Sequence, residues 1–171
     1  MANEIINRIA NSKLVTIDLE DFYPEGERTI IDIAQWLTEG FILREKDFRA
    51  FVKEHSWEQY TNQYVAIKCS TDAIVPGWAY MLVSVALAPY AKKMVVGTID
   101  TLNNLIFSEI IAHLDIDFYK DKPVIVKGCT HKPIPQNAFV LLTQRLQPIV
   151  KSLMYGEACS SVPLFKKTST T

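Results

Sequence analysis

The sequence has few of the residues on which sequence signatures of function usually depend. Of its 171 residues, three are cysteine, three are histidine and six are glycine. An odd number of cysteines without an export signal does not predict a disulfide framework. The glycines form neither a G-x-G-x-x-G nor a P-loop pattern, so no nucleotide cofactor is indicated.

An excess of charge of one sign is also missing. The 18 Lys and Arg residues are balanced by 19 Asp and Glu residues, for a net charge of −1. Binding to nucleic acid requires a concentrated basic face. The closest candidates are two separate pairs, Lys92-Lys93 and Lys166-Lys167. The sequence therefore predicts no nucleic-acid partner.

Long hydrophobic runs are absent as well. The longest apolar stretch, residues 76–88, is interrupted by Ser84 and is shorter than the about 20 residues that span a bilayer. The first twenty residues carry Glu4 and Arg8 and lack the apolar core of a secretory signal. We therefore predict a cytoplasmic protein with reduced thiols and no membrane segment.

The sequence has the composition of a globular domain. Hydrophobic residues make up 49% and charged residues 22% of the chain, and its length is that of one domain. We predict a single domain over residues 1–171. It would have an N-terminal layer over 1–60, a sheet core over 61–165 and a frayed tail over 166–171.

The N-terminal layer contains two candidate strands and a helix. Residues 14–19 alternate apolar and polar side chains, and residues 29–33 form a second candidate strand. Pro24 and Gly26 between them favour a turn, which predicts a hairpin. Residues 43–55 have the pattern of an amphipathic helix.

Large aromatic side chains lie around the junction between this layer and the rest of the chain. Such residues fill protein cores and subunit interfaces. The N-terminal layer is too short to bury itself, so we expect it to pack on the sheet or on a second copy in a homo-oligomer. The aromatic residues concerned are Trp36, Trp57, Tyr60, Tyr64 and Trp78.

Beyond residue 63, strand and helix patterns alternate. This order predicts βαβ crossovers and a parallel sheet. We therefore expect an α/β fold, with a mostly parallel sheet, helices on both faces, and the N-terminal hairpin and helix. The helix at 76–90 is apolar on nearly every face and should be central and covered. The predicted strands are 64–68, 93–96, 123–127 and 149–155, and the predicted helices are 76–90, 99–113 and 136–146.

A weak internal repeat is present in this part of the chain. Residues 69–82 are similar to residues 129–141 if one residue is deleted. Each segment has a cysteine, a hydroxyl residue, an Ile and a Pro, followed by an Ala-aromatic pair on a new helix. The alignment places Cys69 and Cys129 at the same point of two equivalent units.

Each of the three cysteines follows a predicted strand. Ligands of open α/β sheets bind beyond the carboxyl ends of the strands. Cys69, Cys129 and Cys159 are therefore candidate metal ligands, and His131 is a candidate fourth ligand for zinc. An iron–sulfur cluster held by three thiolates would leave one iron open to substrate. Glu157 and Asp72 are carboxylate alternatives.

Other interpretations of these residues stay open. Free cysteine is often a buried, small hydrophobic residue, so the three thiols need not form a site. Cys129 beside His131 is a candidate nucleophile, although two residues on one loop make a poor Cys–His pair. A small-molecule ligand at the cysteine edge is a further expectation. The competing function is a non-catalytic module that binds a partner or oligomerises without metal, and whether the protein is an enzyme stays open.

Three segments carry a resemblance to a known family. They are residues 16–27, residues 72–80 and residues 154–164. At these segments the chain resembles a small bacterial family catalogued only as a domain of unknown function, and the likeness covers nearly the whole chain. The resemblance implies no activity, cofactor or catalytic residue.

Overall fold

The computed structural model describes residues 13–128 and 131–168. The alternation of strands and helices predicted beyond residue 63 is confirmed, with small shifts of the boundaries. The strands are β1 (Val15–Asp18), β2 (Arg28–Asp32), β3 (Tyr64–Lys68), β4 (Lys93–Val96), β5 (Pro123–Lys127), β6 (Ser152–Glu157) and β7 (Ser160–Lys166). The helices are α1 (Glu45–Glu54), α2 (Gly77–Leu87), α3 (Ile99–His113) and α4 (Gln136–Leu146). In the described residues, no helix is both long and apolar enough to cross a membrane.

The strands form two sheets rather than one. One sheet has the order β2-β3-β4 and is entirely parallel. The other has the order β1-β5-β6-β7, in which β7 alone runs antiparallel. The central strands β3 and β5 have continuous apolar runs, as is typical of parallel strands covered on both faces. The predicted α/β class is confirmed.

The predicted N-terminal hairpin is wrong. β1 pairs with β5 and β2 pairs with β3, so the two strands belong to different sheets. The Asp18 side chain accepts a hydrogen bond from the backbone N–H of Glu20 at 3.0 Å and caps a short 3-10 helix, Leu19–Phe22. The chain therefore turns away directly after β1, and both strands pair with the strongly apolar strands that follow later in the sequence.

The chain divides into two compact units. The first unit consists of Met1–Tyr23 and Phe107–Thr171, and the second unit consists of Pro24–Ile106. The boundary between Ile106 and Phe107 falls within α3. The second unit is thus inserted, in sequence, between β1 of the first unit and the remainder of that unit.

Each unit has its own hydrophobic core. In the second unit, α1 and α2 pack on the sheet around Phe48, Trp36 and Trp57, which are all buried. Three of the aromatic residues predicted to fill a core or an interface, Trp36, Trp57 and Tyr60, therefore fill a core. In the first unit, the core contains side chains from β1, β5, β6, α3 and α4, among them Phe107 and Leu142.

Helix α2 differs from its prediction, because only one side of it is covered. Ala79, Val83 and Leu87 are fully buried. Met81 and Val85 are 69% and 71% exposed. An apolar sequence on every face predicts burial on every face, yet here the helix lies at the surface of its unit.

The two units repeat the same elements at a constant spacing. Each residue of the second unit from α1 to β4 has a counterpart 59 positions later in the sequence. Lys68 at the end of β3, for example, corresponds to Lys127 at the end of β5. Asn62 and Asp121 are counterparts, and both have a positive φ, 62° and 56°. Their N–H groups donate to equivalent carbonyls, those of Tyr90 and Ile149. The repeat recognised in the sequence is therefore longer than predicted.

The constant spacing also changes the register of the repeat. No deletion is needed, because β3 and β5 end at counterpart residues and α2 and α4 begin at counterpart residues. Cys69 then corresponds to Gly128, and Ser70 corresponds to Cys129. The equivalence of Cys69 and Cys129 in the sequence alignment is therefore wrong by one position.

Candidate functional site

The candidate metal ligands were predicted to meet at the edge of one sheet. Cys69 follows β3 in the three-stranded sheet, and its Sγ lies 3.4 Å from Oγ1 of Thr71. Cys159 is exposed in the turn between β6 and β7, in the four-stranded sheet. Cys129 lies outside the described residues. The premise of a single sheet edge is wrong, because Cys69 and Cys159 follow strands of different sheets.

The candidate fourth ligands have other contacts. His131 is exposed, and its backbone N–H donates to Oε1 of Glu20 at 3.0 Å. Asp72 is exposed, and Glu157 pairs with Lys127. Within residues 13–128 and 131–168, no group of three or more His, Cys, Asp or Glu residues is placed to hold a metal ion.

A charged cluster lies at the carboxyl ends of β1, β5 and β6. Nζ of Lys127 lies 3.3 Å from Oδ2 of Asp18 and 3.5 Å from Oε1 of Glu157. The hydrogen bond to Asp18, together with the charge of Glu157, raises the pKa of Lys127. Asp18, Lys127 and Glu157 are the last residues of β1, β5 and β6, so the two ion pairs of Lys127 link the ends of these three strands.

The second unit has a simpler version of this arrangement. Asp32, the counterpart of Asp18 in the sheet, pairs in register with Lys68. Its Oδ1 accepts from the N–H groups of Ala34 and Ser70, at 3.0 and 3.1 Å. Burial raises the pKa of Asp32, but hydrogen bonds from Ser70 and Ala34 and the charge of Lys68 outweigh burial and lower it. These contacts stabilise the turn after the strand.

A pocket of about 260 Å³ lies between α4 and strands β5, β6 and β7 of the first unit. Its position follows from the strand register, which aligns Val126 with Tyr155 and Tyr155 with Val162 on one face of the sheet. The rings of Phe139 and Tyr155 meet edge to face, with centroids 5.7 Å apart. The lining residues are Val126, Gln136, Phe139, Thr143, Tyr155, Val162 and Leu164.

The lining is apolar with a few hydrogen-bonding groups. Gln136, Thr143 and Tyr155 supply an amide, a hydroxyl and a phenol, and none of the seven residues is Lys, Arg, Asp or Glu. Small-molecule sites have this character, in which apolar walls supply affinity and a few polar groups supply orientation. The pocket therefore suits an uncharged ligand with a ring system.

Strand β7 distinguishes this pocket from the matching region of the second unit. Among the described residues, the sheet of the second unit ends at β4, so it has no strand equivalent to β7. Val162 and Leu164, which form one wall of the pocket, therefore have no counterparts there. The pocket therefore exists because β7 is added to the sheet of the first unit and not to that of the second.

No strand was predicted after Cys159, and the residues that line the pocket were not among the candidate site residues. The segment after Cys159 contains Pro163, and proline is uncommon within strands. An edge strand tolerates proline, and β7 is at the edge of its sheet, with a register shift opposite Leu153 and Met154. The alternation of Val162 and Leu164 was the available signal of a strand.

The family resemblance was tested by comparison with known proteins. Residues 3–167 match the model of a family described as "Protein of unknown function (DUF2480)". The chain belongs to this family. The match covers both units, so the inserted unit is part of the DUF2480 domain. Searches of the curated proteins and of the solved structures found no match.

Proposed function

We propose that this DUF2480 protein is a non-catalytic binding protein whose ligand is a small, uncharged, largely apolar molecule. The ligand occupies the pocket between α4 and strands β5 to β7. The observation that carries the proposal is the closure of the pocket by β7, which the second unit lacks. An added strand that creates an apolar cavity at the surface leaves Val162 and Leu164 more than half exposed. A ligand in the pocket would remove apolar surface of both side chains from water, which favours binding.

The lining specifies the class of ligand. A volume of about 260 Å³ holds one or two fused or linked rings. The ring packs against Phe139 and Tyr155, which both line the pocket and meet each other edge to face. A hydroxyl or carbonyl group of the ligand exchanges a hydrogen bond with Gln136 or Thr143, which sets its orientation.

Arginine in place of Val162 is expected to block the pocket. The substitution places a charged side chain against an apolar wall, where the ligand must displace it or lose contact area. We expect the affinity for the neutral fluorescent probe N-phenyl-1-naphthylamine to fall by about tenfold or more, equivalent to about 1.4 kcal/mol. A fluorescence titration of wild type and variant measures the effect.

The matched control is Val140→Arg. Val140 is 54% exposed, close to the 56% of Val162, but it lies on α4 outside the pocket lining. We expect V140R to bind the probe within about twofold of wild type, since surface substitutions are usually small in effect. Equal affinity in V162R and wild type, or equal loss in both variants, contradicts the proposal.

The predicted zinc or iron–sulfur site of Cys69, Cys129, Cys159 and His131 stays a prediction, as does the cytoplasmic location. Metal analysis and an absorption spectrum of protein purified without oxygen test the metal site. One equivalent of zinc, or iron with sulfide, supports it. Metal-free protein with three freely titrating thiols contradicts it, because bound thiolates do not react as free thiols.

A further inference from the structure

Strand β7, which forms one wall of the pocket, has few buried contacts. It lies at the edge of its sheet, and none of its seven residues is buried. Pro163 has no N–H group to donate, and the pairing of β7 with β6 has an irregular register. Phe165 packs against the core of the first unit, whereas Val162 and Leu164 are more than half exposed. Apolar burial therefore contributes little to the attachment of this wall.

Two ion pairs lie at opposite ends of β7. At the turn from β6, Oε1 of Glu157 lies 3.5 Å from Nζ of Lys127 at the end of β5. Just beyond the other end of β7, Nζ of Lys167 lies 3.7 Å from Oδ1 of Asp121, which precedes β5. Both pairs connect the β6–β7 hairpin with the ends of β5, an inner strand of the sheet. We call them the terminal ion pairs.

Comparison of the two units shows that the fold requires neither of these acids. At the spacing of 59 residues, Glu157 corresponds to Thr98 and Asp121 corresponds to Asn62. Asn62 and Asp121 have nearly the same positive φ, 62° and 56°, so the backbone there does not need a charge. In each case the acid occurs in the unit that has β7. Among the described residues, the uncharged counterpart occurs in the unit without an equivalent strand.

We propose that the terminal ion pairs hold β7 against the first unit and that ionic strength thereby regulates the pocket, an inference that rests on the proposed function. Both pairs are accessible to solvent. Each such pair changes the equilibrium between attached and detached strand by about two- to fivefold. The Debye length falls from about 30 Å at about 0.01 M salt to about 3 Å at about 1 M, which screens both pairs.

The consequence for the pocket follows from the position of β7. Detachment of β7 withdraws Val162 and Leu164 from the lining. Salt therefore lowers the fraction of protein that is competent to bind, even though the lining has no charged residue and the ligand is uncharged. Conversely, a ligand that binds only the complete pocket stabilises the attached strand.

Hydrogen exchange of the ligand-free protein tests the attachment of β7. We expect the β7 amides that pair with β6 to exchange about two- to fivefold faster in Glu157→Gln and in Asp121→Asn than in wild type at about 0.01 M salt. At about 1 M salt the difference is expected to disappear. D121N introduces the residue that the second unit has at this position, so the backbone conformation is retained. Mass spectrometry of C-terminal peptides measures the exchange.

A double-mutant cycle and a distant ion pair provide the controls. Lys167→Gln is expected to match D121N, and the two changes together are expected to add nothing further, because they remove the same ion pair. Glu45→Gln removes an exposed pair with Arg49 on α1 of the second unit. E45Q is expected to leave the exchange of β7 unchanged. Unchanged exchange in both E157Q and D121N overturns the proposal, as does an equal increase in E45Q or an increase that persists at about 1 M salt.

The coupling to the pocket is tested separately. Saturating N-phenyl-1-naphthylamine is expected to slow the exchange of the same β7 amides in wild type. A probe that binds without slowing this exchange overturns the regulation of the pocket. A probe that does not bind at all contradicts the proposed function, whereas the measurements on ligand-free protein still decide whether the terminal ion pairs hold β7.

Discussion

Replacement of Phe48 by alanine is expected to lower the free energy of unfolding by about 3–5 kcal/mol. Phe48 is fully buried in the core of the second unit. Its ring meets Trp36 and Trp78 edge to face, with centroids 5.9 and 5.8 Å apart. Truncation removes both ring contacts and leaves a cavity that two rigid indole side chains cannot close.

Urea denaturation followed by circular dichroism measures this loss. Phe51→Ala is the control, because Phe51 lies three residues later on the same helix and is 46% exposed. We expect F51A to lose less than about 1 kcal/mol, since much of the side chain is already in water. If F48A and F51A lose similar amounts, Phe48 does not have the core position described above.

Alanine at Gly97 is expected to cost about 2–4 kcal/mol. Gly97 has a φ of +143°, a backbone conformation that residues other than glycine rarely adopt. An added Cβ would lie 2.7 to 2.9 Å from the side chain of Thr101. That side chain accepts from the N–H of Thr98, and Thr98 Oγ1 accepts from the N–H of Thr101. The substitution therefore strains the backbone and disturbs the start of α3.

Gly77→Ala provides the comparison for this prediction. Gly77 begins α2, has no positive φ, and has nothing within 4 Å of the position of an added Cβ. G77A is expected to be neutral or to stabilise the protein by up to about 1 kcal/mol, because alanine restricts the unfolded chain. Thermal unfolding of the two variants in parallel distinguishes them. A G97A variant as stable as G77A contradicts the predicted strain at Gly97.

The candidate pocket was only partly accessible to sequence reasoning. The pattern placed β5 and α4 correctly, and these supply Val126 and Phe139. The third wall depends on β7, which was not predicted and which contains Pro163. Proline cannot donate to a neighbouring strand, so it is acceptable only where one side of the strand has no partner. That condition is a property of the sheet edge and does not appear in the local sequence.

The cysteine hypothesis shows the same limit. Cys69 and Cys159 were correctly placed after strands, since an apolar run followed by a turn is a local signal. The inference that Cys69 and Cys159 share an edge required all strands to belong to one sheet. Their division between two sheets depends on which strands pair, and apolar strands such as β3 and β5 offer equivalent pairing edges.

The sequence by itself determined the local elements of this protein. Helix periodicity, buried apolar runs and a proline at the start of α2 and α4 act within one segment, so they specify its structure without reference to the rest of the chain. The tertiary structure decided the partners of those segments. It paired β1 with β5, although the second unit separates these strands in the sequence. It also added β7 to one sheet and left one side of α2 exposed. Alternation of apolar residues encodes that a face is buried, but the free energy of burial is nearly the same whichever apolar surface covers it.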